Sequence, residues 1–544
     1  MAPHEVEVYP SWKRSPDGAL QWEQPYGFQE KLYAKIAVPA GERGLFLIAT
    51  GVSFWYKRVS GGKEVEVEDE EEIARRVRRA WIRMRHRFPA LAAVAGPRGK
   101  VYRGLGSAAE LDAWADATFR VRRGASAPDL FRDLARTEQI TLWYLPEARE
   151  LFLQAEHHHL DGRGLMWFWD GLFNTLAADD DDKDELTFER DFKGAPEAAR
   201  LPPRSDDLLD LREATPGRGR AVALDMLAPL AMGDGERQVC MPVDLDSARV
   251  QARFRASTPA PPTQSSPSSG GSGVGARPPG PPGRNFSIES RLSDRDTREI
   301  LDACRRRGYT ITAAWHAAMA MATRETQRRE AGPEAAGNKF VGFSNFDLRP
   351  YFPRPSKEEG DKHDDGYGDT DAYTVSNHHT VLPIALDVST GRAFDDVARE
   401  LAAFYRRGIA GAGSVPGVWA ALPHMIDELL PDFTPLGADM TDTTPAVSSL
   451  GNIDAFIRKR YSSSKPTSSS SWWDIEDVWF GDAATGPWLE CFMWAWRGRL
   501  VLCSCYSSAF YTARDVLAFH DEVTRVMMEG LGLGLYAGAP PSRI

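Results

Sequence analysis

The chain's 544 residues, 42% apolar and 26% charged, are too many for one ordinary core and are composed like a folded globular protein, so two domains with surface insertions are expected. A net charge of -11 lacks the basic excess that DNA or RNA binding calls for, and the five cysteines, Cys240, Cys304, Cys491, Cys503 and Cys505, show no paired ligand spacing, which predicts reduced thiols. The opening residues MAPHEVEVYPSWKRSPDG hold no apolar signal core, and no later run of about 18 apolar residues could span a bilayer; the expectation is a cytoplasmic chain with neither a nucleic-acid nor a membrane partner.

Ile73, Val77, Trp81, Met84 and Phe88 recur at helical spacing behind Glu70, Glu71 and Glu72, and Pro89 stops the run, which predicts a helix from about 69 to 88. Its arginines, Arg75, Arg76, Arg78, Arg79, Arg83, Arg85 and Arg87, are left for a solvated face once the apolar stripe is assigned. Ile140–Tyr144 and Leu151–Ala155 are short apolar runs around the turn-rich Pro146–Glu150, a hairpin pattern. Apolar residues from Leu165 to Leu176 then mark an amphipathic helix, so the histidine-rich segment Glu156–Gly162 falls between a strand and a helix. The acidic run Asp179–Glu185 lacks the spaced ligands of a calcium loop and reads as a solvated insertion.

Residues 256–285, with SSPSSGGSGVGARPPGPPG at their centre, carry too little apolar surface to fold and read as a flexible linker between an N-terminal lobe, 1–255, and a C-terminal lobe, 286–544. Their glycines, Gly270, Gly271, Gly273 and Gly275, do not lie between a strand and a helix and so make no phosphate loop. Beyond the linker, helices are expected near 291–307, 311–330, 394–410 and 513–529, and strands near 339–344, 489–496 and 499–505. Lys357–Asp371 and Ser462–Ser471 read as loops. The mixture predicts an α/β sandwich in each lobe.

Within Glu156-His157-His158-His159-Leu160-Asp161-Gly162, a histidine is followed four positions on by an aspartate and then a glycine, a match expected roughly 0.06 times by chance in a chain of this composition. A near-neutral imidazole can take the proton of an alcohol as it attacks a thioester and return it to the departing thiolate, which makes His157 the candidate catalytic base. Asp161 can fix the loop by pairing with a distant cation, and Gly162 can let the backbone bend there. Two other readings of the same residues are a merely polar loop and a zinc site of His157, His159 and Asp161 along one side of a strand. The second requires the strand to continue where Gly162 and the helix start indicate that it has ended, so no metal is expected.

The motif resembles that of the coenzyme A-dependent acyltransferases of the chloramphenicol acetyltransferase-like superfamily, which includes condensation domains and plant and fungal alcohol acyltransferases. Many members carry a second histidine before the base; here that position is Glu156. The resemblance extends to Trp81–Leu91 (WIRMRHRFPAL), to the alanine-rich Gly308–Ala320 and to Phe343–Arg349, and the last makes Arg349 the implied partner of Asp161. Asp477–Asp482, followed by Gly486 and Pro487, is a degenerate echo of an Asp-Phe-Gly-Trp-Gly loop. Ser448–Asp454, Tyr506 and Phe510-Tyr511 look like fungal stand-alone O-acetyltransferases, in particular the trichothecene 15-O-acetyltransferases.

The resemblance implies two pseudo-symmetric α/β sandwich lobes with the active site in a tunnel between them and His157 at its middle. It implies acetyl-CoA as co-substrate, no resident cofactor, a sesquiterpenoid-like alcohol as acceptor and a monomeric enzyme. A condensation-type enzyme using a carrier-protein thioester and a non-catalytic small-molecule binder are the alternatives. Asn377, Ser449 and Tyr506 are the residues considered for stabilising the oxyanion.

Overall fold

Apolar spacing and capping together set the elements that frame the site. In the computed structural model, which describes residues 11–37, 44–178, 186–209, 211, 216–243, 283–334, 336–353, 373–413, 418–429, 442–462 and 471–534, Asp69 caps the helix Glu70–Arg87 by accepting from the Glu72 amide at 2.9 Å. The helix buries Ile73, Val77, Trp81 and Met84 as its spacing predicts and ends at Phe88, before Pro89. Its arginines do not all face solvent. Arg85 is buried, its guanidinium 4.9 Å from the Trp114 ring and 5.9 Å from that of Tyr102, because aromatic faces compensate part of the lost hydration. Arg78 instead bonds Asp112 and Asp116 at the surface.

The expected hairpin is present as Thr141–Leu145 and Glu150–Glu156, antiparallel with Leu142 opposite Leu153. On the other edge of Glu150–Glu156 lies the long strand Leu47–Ser60, with Leu47 opposite Glu156, and beyond it Ser471–Asp482, with Asp482 opposite Ile48. Arg460–Ser462 and Phe119–Val121 close the two ends of this sheet, and Lys63–Glu66 forms a hairpin with the long strand. A second sheet has six strands in the order Asn285–Arg291, Arg499–Ser507, Glu490–Trp496, Ala446–Asn452, Lys339–Asp347 and His379–Asp387. A smaller sheet is built around Gln21–Pro25 and Gly99–Arg103.

Each large sheet carries its own core. Helices Glu70–Arg87 and Gly162–Ala178 pack with the first, and Asp294–Arg307, Ile311–Ala331 and Ala513–Gly530 with the second. A third apolar cluster lies between the lobes and joins Phe28, Leu32, Tyr33 and Ile36 of the helix Phe28–Ala37 to Leu382, Leu422, Met425 and Ile426.

The lobes exchange segments, so they do not divide at 256–285 as the linker alone suggests. Arg460–Ser462 and Ser471–Asp482 belong to the first sheet, because the long strand Leu47–Ser60 would otherwise present an open edge. Conversely, Gln238 bridges to Lys339, and Val239 and Met241 lie in the second core. The second sheet begins at Asn285, inside the expected linker; residues 256–282 lie outside the described residues, as do Asp179–Glu185, Lys357–Asp371 and 463–470.

Packing encloses an unusual set of titratable groups. Lys100 and Glu30 form a buried pair at 2.6 Å. Burial pushes the imidazoles of His159 and His316 down to about 3 and those of His379 and His520 to about 4, and holds His158 and His378 well below the usual range. Burial acts the other way on several carboxyls, raising Asp206 to about 6, Asp482 to about 7 and Glu490 to about 8. Below about pH 6.5 the unfolded chain takes up protons that the folded histidines refuse, so stability falls on acidification. From about pH 4 upward the folded carboxyls keep protons that the unfolded chain has lost, so their contribution declines as pH rises through 7 and 8. The histidines outnumber the carboxyls, and the thermal midpoint should peak near pH 6.5, falling steeply below it and gently above it. In the double variant Asp482→Asn, Glu490→Gln, the decline between about pH 6.5 and 8 should vanish and the acid limb remain, measured by calorimetry across pH 4 to 8.

Candidate active site

All of Glu150–Glu156 is buried, and the strand ends where His157–His159 turn, closed by the His159 amide donating to the Glu156 carbonyl at 3.0 Å. Glu156, in the place where a second histidine was absent, accepts from Arg136 at 2.7 Å and lies 3.3 Å from His158 Nδ1. The helix Gly162–Ala178 then starts under Asp161, whose Oδ1 accepts from the Gly164 amide at 2.8 Å, the geometry of an N-cap. Gly162 itself is an ordinary first helical residue, not a sharp bend. The glycine that geometry demands is Gly164, where a Cβ would stand 2.3 Å from the carbonyl oxygen of Thr374.

That close approach brings in the second half of the chain. Asp161 Oδ2 accepts from Arg349 Nη1 at 2.9 Å and from the His378 amide at 2.6 Å. Arg349 also donates to the Tyr373 carbonyl at 2.9 Å and to Asp347 at 3.1 Å, and its guanidinium lies 5.2 Å from the Trp167 ring. Asn377 Nδ2 donates to the His157 carbonyl at 2.7 Å. The segment Tyr373–His379 is thereby strapped across the motif. Burial alone would raise the Asp161 carboxyl, but Arg349 and the amides beside it hold it well below the usual carboxylate range.

The His157 ring is half-buried and lies flat against Tyr33, ring centroids 3.9 Å apart and planes within 6°. Tyr33 Oη shares a hydrogen bond of 2.9 Å with His379 Nε2, and the His379 ring centroid is 5.1 Å from that of His157. Burial, and secondarily His379, push the His157 imidazole down to about 3. At neutral pH it is therefore unprotonated, as a general base must be. Its Nδ1 is enclosed, which leaves Nε2 as the nitrogen open to accessible space.

Of the three residues considered for an oxyanion, Asn377 is engaged with the His157 backbone and Tyr506 stacks on Phe286 in the second lobe. Ser449 shares a hydrogen bond with Thr312 at 2.9 Å, next to Leu450, which stands 3.0 Å from where a Gly162 Cβ would be. Asp477, at the head of the degenerate loop, binds Arg291 at 2.5 Å and so ties the first sheet to the second. Beside that contact an inter-lobe cleft of about 130 Å³ is lined by Gly51, Phe131, Phe286 and Trp479, among others. Among the described residues, no three His, Cys, Asp or Glu side chains gather as a metal would need.

Sequence reasoning missed Tyr33, His379, Asp482 and Glu490. Leu47 pairs with Glu156 on one side, and on the other it accepts from the Ala483 amide, so His157 and Asp482 lie at the same end of the first sheet about 10 Å apart, two strand spacings. Glu490 accepts from Trp488 Nε1 at 2.6 Å, and both carboxyls act electrostatically on Tyr33. The adjacent histidines His378 and His379 were a visible signal; Tyr33, in a distant helix, gave none.

No protein-family model matches the chain. It is 25% identical over 526 residues to the acetyltransferase pigO of Monascus ruber, covering 96% of this chain and 98% of that one. A shorter match, 29% over 164 residues and 28% of this chain, is to a protein of Epichloe uncinata named loline biosynthesis cluster 1 transcription factor lolU1, of which it covers 31%. Among solved structures, the trichothecene 15-O-acetyltransferase of Fusarium sporotrichioides superposes with a TM-score of 0.69 at 15% identity, covering 97% of this chain and 100% of that one. The first condensation domain of the CDA synthetase gives 0.51 at 14% identity, covering 95% and 98%. The chain thus has the fold of the trichothecene 15-O-acetyltransferase and is similar over nearly all of its length to the acetyltransferase pigO.

Proposed function

We propose that this enzyme moves an acetyl group from acetyl-CoA to a hydroxyl of an apolar secondary metabolite, a trichothecene-like sesquiterpenoid alcohol, acting as a cytoplasmic monomer without a resident cofactor. The two substrates meet at His157 in a channel between the lobes, entering from opposite faces. The observation that carries the reading is the state of His157: enclosed enough to be neutral, with one nitrogen accessible, at the seam where Tyr373–His379 crosses the motif. The likeness to pigO, an acetyltransferase, and to the Fusarium O-acetyltransferase supports an acetyl group as cargo.

His157 Nε2 accepts the proton of the acceptor hydroxyl as its oxygen bonds to the thioester carbon. The tetrahedral intermediate collapses by breaking the carbon–sulfur bond, and the proton on Nε2 passes to the departing thiolate. Asp161 takes no part in this transfer, since Gly164, Arg349 and His378 engage its oxygens. The likeness to a condensation domain favours one second reading, a carrier-protein thioester as donor.

Release of free thiol from acetyl-CoA, assayed with a panel of terpenoid and polyketide alcohols, tests the reading. Acceptor-dependent release supports it; release only from an acylated carrier protein would replace the donor. His157→Ala should lower turnover about a hundredfold to ten-thousandfold with an unchanged thermal midpoint. Asp161→Asn should cost about 3–5 kcal/mol of stability, read by chemical denaturation, because Arg349 would be left buried without its counter-charge. The His157 imidazole should stay neutral down to about pH 5 in side-chain nitrogen NMR, where an unperturbed histidine would be protonated.

A further inference from the structure

Several enclosed carboxylates of this chain are matched by a cation: Lys100 faces Glu30, Arg349 faces Asp161 and Arg291 faces Asp477. Asp482 departs from that pattern. Among the described residues its carboxyl meets no cation and no hydrogen-bond donor, and burial alone raises it. Glu490 is 5% exposed; its Oε1 accepts from Trp488 Nε1 at 2.6 Å, while Oε2 has no partner among the described residues and is not sealed by packing. An enclosed carboxyl oxygen without a donor is costly unless something else supplies one. Asp482 acts electrostatically on Glu490, and both act on Tyr33, the ring that lies against His157. Phe46 and Trp488, each only partly buried, stand beside them, with ring centroids 6.4 Å apart and Phe46 6.0 Å from Tyr33.

We propose that Asp482 and Glu490 form a polar subsite for the acceptor, receiving a second hydrogen-bond donor of that molecule, a hydroxyl or an amine, while its first hydroxyl meets His157. This rests on the reaction proposed above. The reacting hydroxyl must lie within hydrogen-bond reach of His157 Nε2, whereas Asp482 is about 10 Å from His157 across the sheet, so the carboxyls meet a different group of the same molecule. Coenzyme A is a poor occupant, because its phosphates would be repelled by the carboxyls. The rings of Phe46 and Trp488 suit an apolar skeleton, and the carboxyls fix its orientation through the donor it carries. A site built on enclosed acceptors discriminates strongly, since a molecule that lacks the donor leaves them desolvated and unpaired. The acceptor class is therefore a diol or an amino alcohol rather than an apolar mono-alcohol.

Matched terpenoid acceptors test the subsite: a diol, the mono-ol that lacks its second hydroxyl, and the amino alcohol with nitrogen in that place. In the wild type, kcat/KM for the better of the diol and the amino alcohol should exceed that for the mono-ol about a hundredfold, and which of the two leads tells hydroxyl from amine. Asp482→Leu should shrink the ratio below about tenfold through loss on the donor-bearing acceptor, with KM for acetyl-CoA within about twofold. Glu490→Gln, which still accepts from Trp488, should shrink it partway. Asp482→Asn, which keeps the shape and loses the charge, should depress the amino alcohol more than the diol and serves if the leucine variant does not fold. Calorimetric binding to His157→Ala, which needs no turnover, should show the same order of acceptors and lose it when Asp482→Leu is added. Equal binding of the diol, amino alcohol and mono-ol in every matched set, or an equal loss on all three in Asp482→Leu, would overturn the subsite. Should the wild type acylate no alcohol while the binding order and its dependence on Asp482 hold, the proposed reaction would fail and the subsite would stand.

Discussion

The buried contact between Asp161 and Arg349 is the constraint on which the site depends. Both side chains are nearly inaccessible, at 3% and 1% exposure, and they come from opposite halves of the chain. A buried ion pair adds little net stability over an apolar substitute, but it tolerates only a narrow geometry because either charge alone would be costly. Here that narrowness acts as registration. One carboxylate simultaneously starts the helix Gly162–Ala178, receives Arg349 and catches the His378 amide. Displacing the lobes would break the contacts to Arg349 and His378 together.

From that anchor the rest of the site follows by short links. His378 is held to Asp161, so its neighbour His379 arrives beside Tyr33, and Asn377 arrives beneath the His157 carbonyl. The third apolar cluster performs the same registration with surface instead of charge, packing Leu32 and Tyr33 against Leu382 and Met425. The two kinds of contact are complementary: apolar burial supplies non-directional attraction, and the ion pair selects the one docked arrangement at which the imidazole is presented.

Much of this was legible in the sequence, and the limits have physical causes. The hairpin, the helix after it and most elements of the second half follow from local periodicity, which a linear reading captures well. The His157–Asp161 spacing pointed to a strand-to-helix turn because the residues that make the turn are contiguous. Arg85 escaped because its partners, Trp114 and Tyr102, are remote in sequence, and an arginine on a helix face gives no sign of aromatic neighbours. Gly162 drew attention for adjoining the motif, while the essential close approach at Gly164 depends on Thr374, far along the chain. Tyr33 was invisible for the same reason. The shared-sheet exchange was hidden because Ser471–Asp482 has the composition of any buried strand, and composition does not reveal which edge a strand joins.

That exchanged strand has a consequence for how the protein comes into being. Leu47–Ser60 is synthesised early, yet one of its neighbours in the sheet, Ser471–Asp482, emerges only when most of the chain has been made. At ordinary elongation rates the interval is on the order of tens of seconds. Throughout it the nascent first lobe carries a long, apolar, unpaired edge, the feature most prone to pairing with another chain. Its yield in a cell should therefore depend less on final stability than on elongation speed and on chaperones that occupy that edge until its own strand arrives.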